Sequence, residues 1–304
     1  MRNRGWVPLA AVLGLALLLG FASAGGAQST TPAAPATPAT PAAATAEYAG
    51  MDTCVQCHEE VVTAFKTTPH MASSKGCEGC HGPGKDHAEA GGDKTKIKVF
   101  KTMSSVESSA VCMDCHNKGG QKHWMGSSHD SRQVSCAQCH NPHPKAGEPV
   151  QAALLRAPQM KLCTSCHLQK KAQLIRPGHM PLREGKLQCT SCHNPHGTPN
   201  DKMLLQTSVN QNCYTCHAEK RGPFLWEHAP VRENCLNCHD AHGTINEKML
   251  KVKQPLLCQQ CHQTASHPGP AYPSMSRYAF NQGCMHCHPT IHGSVHPSGN
   301  RFFR

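Results

Sequence analysis

The sequence predicts a chain of loops and short helices, arranged as five successive repeats and almost free of β-sheet. Three observations predict this. All 20 cysteines fall in ten copies of the motif C-x-x-C-H. These copies come in close pairs, and many glycines and prolines separate them. Aromatic residues make up only 5% of the chain, so the side chains cannot build an ordinary core around ten motifs and another group must fill the interior.

The N-terminus has the three parts of a secretory signal. Arg2 and Arg4 precede an apolar run over residues 7–19, and small residues follow. Residues 1–24 are therefore predicted to be a signal peptide, cleaved after Ala24 or Ala27, and the mature protein is predicted to be exported. The apolar run is short for a membrane span, which leaves an uncleaved anchor as the minor alternative.

Residues 25–50 consist mostly of Ala, Pro and Thr. Such a segment cannot bury a core, so we predict a disordered, extended tether. It is either a spacer that lets the following domain reach a partner or a leader without a specific role. The domain that contains all ten motifs is predicted to span residues 51–304.

C-x-x-C-H is the attachment signature of c-type haem, in which two thiols bond the haem vinyl groups and the histidine binds iron. Zinc does not demand a histidine after every second cysteine, and disulfides need no fixed spacing. We therefore predict ten covalently attached haem c groups. The predicted thioether residues are Cys54, Cys57, Cys77, Cys80, Cys112, Cys115, Cys136, Cys139, Cys163, Cys166, Cys189, Cys192, Cys213, Cys216, Cys235, Cys238, Cys258, Cys261, Cys284 and Cys287. The predicted proximal iron ligands are His58, His81, His116, His140, His167, His193, His217, His239, His262 and His288.

The motifs recur as pairs, which predicts five dihaem repeats at about residues 51–111, 112–162, 163–212, 213–257 and 258–304. The connectors at 196–213 and 242–258 are also alike, with H-G-T and K-M-L at matching places. Such repetition predicts a multihaem cytochrome c fold, in which loops and short helices wrap an elongated chain of ten haems. One helix is predicted over residues 59–66, with Val61, Val62 and Phe65 on one side.

Thirteen further histidines could bind iron on the side opposite the motif histidine, and the dihaem repeat selects ten. His123, His286 and His296 are left over, and His123, His296 or a methionine is the alternative where a selected ligand fails. The predicted distal ligands before the even-numbered motifs are His70, His129, His179, His228 and His267, and those after them are His87, His143, His196, His242 and His292.

The spacing within C-H-N-P-H-G limits which iron the second histidine can bind. Two imidazoles on opposite sides of one iron place their Cα atoms roughly 12–13 Å apart. Three residues span at most about 10–11 Å. His196 therefore cannot share an iron with His193 and is expected to bind a neighbouring one, with the iron of His167 as the first choice. The same limit holds for His143 and His242.

The net charge of +11 does not predict nucleic-acid binding. Loss of the two signal arginines leaves 28 basic and 19 acidic side chains, a net charge of +9. Ten haems add about −20 through their propionates and about +10 through ferric iron. The oxidised protein is thus expected to be near neutral.

The paired motifs, the phrases CHNPHG and CHDAHG and the block at residues 213–244 resemble the DmsE/MtrA-type decahaem cytochromes. The similarity covers residues 48–304. It implies bis-histidine haems in a protein held inside an outer-membrane β-barrel porin, on the periplasmic side. The implied partners are that porin, a periplasmic or inner-membrane quinol-linked cytochrome, and an extracellular multihaem cytochrome or terminal reductase. The implied processes are extracellular metal or dimethyl sulfoxide respiration, or iron oxidation.

Three functions are compatible with the motifs: an electron conduit in a barrel, a soluble periplasmic carrier and a multihaem reductase. A reductase needs an iron with an open coordination position. Every motif keeps its histidine, and enough distal histidines exist for all ten irons. The sequence therefore favours an electron-transfer protein without catalytic residues, with the conduit as the first reading.

Overall fold

The computed structural model describes residues 47–74, 76–145, 147, 149–262 and 283–303. The predicted signal peptide, most of the tether and His267 lie outside these residues. Short helices and loops make up the described chain, which confirms the predicted fold class in its secondary structure. The helices α1 to α11 span Met51–Phe65, Pro69–Ser73, Glu78–His81, Lys85–Glu89, Ser105–Met113, Cys136–Cys139, Gln159–Thr164, Leu168–Leu174, Val209–Tyr214, Ala229–Glu233 and Leu256–Gln259.

Single 3₁₀ turns separate these helices. They lie at Lys94–Lys96, Gly119–Gln121, Asp130–Arg132, Ala152–Leu154, Cys189–Ser191, Asp201–Met203, Ala218–Lys220, Cys235–Asn237, Glu247–Met249, Cys284–His286 and Gly299–Arg301. Extended pairing within the described ranges is limited to isolated bridges, such as Gly178 with Thr244 and Trp226 with Ser294. None of the helices in these ranges combines the length and the apolar composition that crossing a bilayer requires.

Helix α1 contains the helix predicted from the sequence and extends it backward through the first motif. The backbone departs from helical geometry at His58, where φ is −122° and ψ is 37°. The kink separates the motif from the amphipathic part of the helix. Val62 and Phe65 are buried as expected, whereas Val61 is 43% exposed. Val61 and Phe65 are four residues apart and lie on the same side of the helix, as predicted, with Val61 at its exposed edge.

The buried apolar side chains are few, and the aromatic ones lie against predicted distal histidines. In the described part of the chain, Phe65, Trp124 and Phe302 are among six buried apolar residues. Their ring centroids lie 6.0 Å from His143, 6.3 Å from His196 and 5.6 Å from His228, respectively. The side-chain core thus serves mainly to support imidazoles.

Glu78, on α3 between the two cysteines of the second motif, ties the start of the domain together. Its buried carboxylate accepts hydrogen bonds from the backbone N–H groups of Ala49, Gly50 and Gly84 at 2.8, 3.0 and 2.8 Å. Burial acts to raise the pKa of Glu78, but the three backbone bonds outweigh it, and the pKa lies below its usual 4.5.

Glu78→Gln is expected to lower the free energy of unfolding at neutral pH by about 1.5–3 kcal/mol, because an amide cannot accept from all three donors as a carboxylate does. Since the folded-state pKa is depressed, this stabilisation is present above the ordinary pKa and lost as pH falls below it. Denaturant unfolding at a series of pH values checks the effect. A difference between the two proteins that does not shrink in acid would contradict the role of the charge.

Candidate haem-ligation sites

Histidines lie in facing pairs throughout the described chain. Each pair joins one motif histidine to one predicted distal histidine, with ring centroids 5.9–6.4 Å apart. Two imidazoles that bind one iron from opposite sides, each about 2 Å from the metal, have ring centroids about 6 Å apart. The spacing therefore fits iron held between two imidazoles. The pairs are His58–His87, His81–His143, His116–His70, His140–His196, His167–His129, His193–His242, His239–His292 and His262–His228.

The pairs confirm that a histidine three residues after a motif histidine faces a different motif. His242 faces His193 at 6.2 Å and His143 faces His81 at 5.9 Å. The expected partner of His196 was wrong, however, because its ring lies 6.0 Å from His140, whereas His167 faces His129. The reach of the chain excludes the nearest motif but does not choose among the others.

His179 is placed differently from the other predicted distal ligands. Its Nδ1 lies 2.5 Å from the Arg176 carbonyl oxygen, and its Nε2 lies 3.1 Å from Glu184 Oε1. No ring contact joins it to His217 within the described residues. Glu184, followed by the Arg176 carbonyl, raises the pKa of His179. The assignment of His179 as a distal iron ligand thus stays a prediction.

The three histidines that were not predicted to bind iron take no part in these pairs within the described ranges. His286 and His296 are exposed, and His123 is half-buried. The Nδ1 of His296 accepts a hydrogen bond from the Ser298 backbone N–H at 3.1 Å. The last motif histidine, His288, stacks on Phe303 with ring centroids 4.7 Å apart. The predicted distal ligand His267 lies outside the described residues.

The motif histidines alternate in their environment. The proximal histidines of the even-numbered motifs each have Nδ1 within 2.6–2.9 Å of a backbone carbonyl oxygen. Those of the odd-numbered motifs are exposed. An Nδ1–H that donates to a carbonyl leaves the Nε2 lone pair free for a metal and fixes the ring orientation. For the histidines of the even-numbered motifs, the accepting carbonyls belong to Lys98, Ala153, Lys202, Lys248 and Arg301.

Three of these carbonyls come from a recurring backbone device that the sequence did not reveal. Ala153, Lys202 and Lys248 each have a φ of 54°, and the residue after each has a φ of 55°. Two successive left-handed residues turn the carbonyl toward the motif histidine. Two of the three cases lie in the repeated K-M-L connectors, at Lys202 and Lys248. These connectors in fact supply a backbone acceptor.

A glycine follows three of the distal histidines and lets another segment approach closely. A Cβ atom on Gly197, Gly243 or Gly293 would lie 2.1–2.3 Å from an atom of a different segment, and each has a positive φ. The H-G pair therefore places the histidine where two segments meet.

Burial favours the neutral form of four of the paired distal histidines. Desolvation, with smaller effects from neighbouring charges, lowers the pKa of His143, His196, His242 and His292 below the usual 6.5. A neutral imidazole is the form that binds a metal. Within the described ranges, no three His, Cys, Asp or Glu side chains gather around a common point, as a zinc site would require.

The cysteines of successive motifs influence one another's pKa in the order of the sequence. Within each repeat the first cysteines of the two motifs interact, so that Cys136 and then burial raise the pKa of Cys112. Between repeats the second cysteines interact, so that burial and then Cys115 raise the pKa of Cys80. The nine interacting pairs are Cys54–Cys77, Cys80–Cys115, Cys112–Cys136, Cys139–Cys166, Cys163–Cys189, Cys192–Cys216, Cys213–Cys235, Cys238–Cys261 and Cys258–Cys284.

The sequence of this chain is similar to those of known proteins. The doubled CXXCH motif family matches residues 179–222 and 228–267, and the cytochrome c-type protein NrfB-like family matches residues 77–166. The multiheme cytochrome MtrA of Shewanella baltica is 41% identical over 272 residues, which covers 82% of this chain and 80% of that protein. The chain belongs to the MtrA family of multihaem cytochromes. As an MtrA-family cytochrome it carries covalently attached haem c and transfers electrons.

A solved structure is also similar. The undecaheme cytochrome from the S-layer of Carboxydothermus ferrireducens is 22% identical to this chain, and the match covers 75% of this chain and 32% of that protein. The TM-score is 0.15, which is too low to inform the fold.

Proposed function

We propose that this protein carries electrons between the periplasm and the cell exterior through ten haems, while held in an outer-membrane β-barrel porin. Ten haem attachment sites follow from ten intact motifs. The observation that carries the proposal is the unbroken series of nine interacting thiol pairs, which runs from Cys54 to Cys284 in sequence order. Haems attached to neighbouring motifs are then close to one another, which an electron path requires.

The protein residues hold and tune the haems in this proposal. Haem iron supplies a one-electron couple between its ferric and ferrous states. In the eight facing pairs of the described residues, two imidazoles would occupy both axial positions of a bound iron and leave no open position for a substrate, which argues against a multihaem reductase. Carbon monoxide is accordingly expected to leave the reduced spectrum almost unchanged.

The location and partners rest on family membership and on the N-terminal sequence. A secretory signal at residues 1–24 is expected to export the chain to the periplasm. The segment at residues 25–50 would let the haem domain reach a barrel at the outer membrane. A quinol-linked cytochrome on the periplasmic side and an extracellular multihaem cytochrome or terminal reductase are the proposed electron partners. The proposal includes electron flow in either direction, outward in respiration or inward in iron oxidation.

Fractionation of native cells followed by a mild-detergent pull-down tests the conduit. We expect recovery from the outer membrane together with a large β-barrel, in a complex that reduces an acceptor outside liposomes loaded with an internal reductant. Liposomes that contain the barrel without the cytochrome are the control and are expected to be inactive. Recovery from the soluble periplasm alone, without a barrel, would contradict the conduit and favour the diffusing carrier.

A further inference from the structure

Two of the eight histidine pairs differ from the others in the angle between their rings. The planes of His70 and His116 meet at 76°, and those of His129 and His167 at 70°. The remaining six pairs are nearly parallel, at 10–20°. Each imidazole donates π electrons into the iron d orbital perpendicular to its own plane. Crossed rings act on two different orbitals and keep them close in energy, whereas parallel rings act on one orbital and separate the two.

Crossed rings have two measurable consequences at a ferric low-spin iron. The near-degenerate orbitals produce an electron paramagnetic resonance (EPR) spectrum with an unusually large maximum g value. Crossed rings also stabilise the ferric state less than parallel rings do, which raises the reduction potential. Axial ligation is among the means by which a protein sets a haem potential.

The hydrogen bonds of the rings separate the two crossed pairs. His129 Nδ1 lies 2.8 Å from the Pro195 carbonyl oxygen. Among the described residues, the buried His70 Nδ1 has no hydrogen-bond partner, and no hydrogen bond joins the exposed His116 ring to an acceptor. A carbonyl that accepts from Nδ1–H makes the imidazole a stronger donor to iron, which favours the ferric state and lowers the potential. The pair at His70 lacks this effect.

Only one other pair in the described chain lacks a carbonyl acceptor. His228 Nδ1 is also buried without a partner, but its ring is nearly parallel to that of His262, at 20°. The other six pairs each have one Nδ1 beside a backbone carbonyl, at distances of 2.8–2.9 Å. The pair of His70 and His116 alone combines crossed rings with the lack of an acceptor.

We propose that His70 and His116 hold the iron with the highest reduction potential among the eight described pairs. The inference rests on the haem ligation proposed above and deepens it. When electrons enter the chain, the iron at this pair takes one electron and becomes ferrous, while the neighbouring donor iron loses one and becomes ferric. In a partly reduced protein an electron therefore resides at the third motif, close to the N-terminal end of the series.

A reductive titration of the purified holoprotein, followed by low-temperature EPR, tests the proposal. Two large-g signals are expected, and one of them is expected to be the first signal lost as the potential is lowered. The second large-g signal, from His129 and His167, is expected to be lost at a lower potential. Loss of a rhombic signal from a parallel pair before either large-g signal would overturn the proposal.

Two matched variants assign the signals. His70→Met is expected to remove the large-g signal that is lost first, and His129→Met the one that is lost second. The reverse assignment would overturn the proposal. A high-spin ferric signal in the unmodified protein would contradict two-histidine ligation itself, whereas a low-spin spectrum with the wrong order contradicts only the ranking of potentials. Recovery with a barrel is unaffected by either result.

Discussion

His242→Ala is expected to create one iron per chain that binds carbon monoxide. The His242 ring stacks opposite His193 at 6.2 Å with only 15° between the planes, so its removal leaves one axial position without a ligand. Cys189 and Cys192 still attach the haem, and the Lys202 carbonyl still holds His193 through a 2.9 Å hydrogen bond. The opened position is therefore stable and accessible to a diatomic ligand.

Absorption spectra of the reduced protein with and without carbon monoxide measure this effect. His123→Ala is the matched control, because no ring contact joins His123 to another histidine within the described ranges, and it is expected to bind none. His242→Met supplies a thioether in place of the imidazole and is expected to restore six-coordination while raising the potential of that haem. Carbon monoxide binding that is equal in the two alanine variants would contradict the role of His242.

The attachment motifs could be predicted from the sequence because covalent haem chemistry requires a fixed local spacing. The short amphipathic helix in α1 could be predicted for a similar reason, since Val62 and Phe65 recur at helical spacing. The facing of His196 and His140 could not, because chain reach sets only a maximum distance. The partner depends on how successive repeats pack, which chain reach does not determine.

The backbone carbonyl acceptors of the motif histidines could not be predicted from the sequence, for a different reason. Lys202 and Lys248 occupy left-handed conformations that non-glycine residues adopt only when tertiary contacts impose them. No propensity rule marks a lysine for that conformation. The sequence shows that the connector recurs, but it does not show which backbone conformation recurs with it.

Gly243→Ala is expected to destabilise the protein more than a glycine substitution that carries only a positive φ or only a close approach, because both costs act at this position. Gly243 has a φ of +142°, and a Cβ atom there would lie 2.3 Å from the Gln173 carbonyl oxygen. The same region carries a bond from Gln173 Nε2 to Asp240 Oδ2 at 2.8 Å, which closes the segment over the adjacent His242. We expect a loss of more than about 3 kcal/mol in the free energy of unfolding.

Two further alanine variants separate strain from collision. Gly185 has a φ of +69° with open space around it, so Gly185→Ala tests backbone strain alone and is expected to cost about 1 kcal/mol. A Cβ atom on Gly178 would lie 2.1 Å from the Asn246 carbonyl oxygen, without a positive φ, so Gly178→Ala tests collision alone. Denaturant unfolding of the three holoproteins measures the costs. If Gly243→Ala also displaces His242, the variant is expected to bind carbon monoxide at denaturant concentrations well below its unfolding midpoint. A cost at Gly243 no larger than that at Gly185 would mean that the approach of the Gln173 segment does not hold His242 in place.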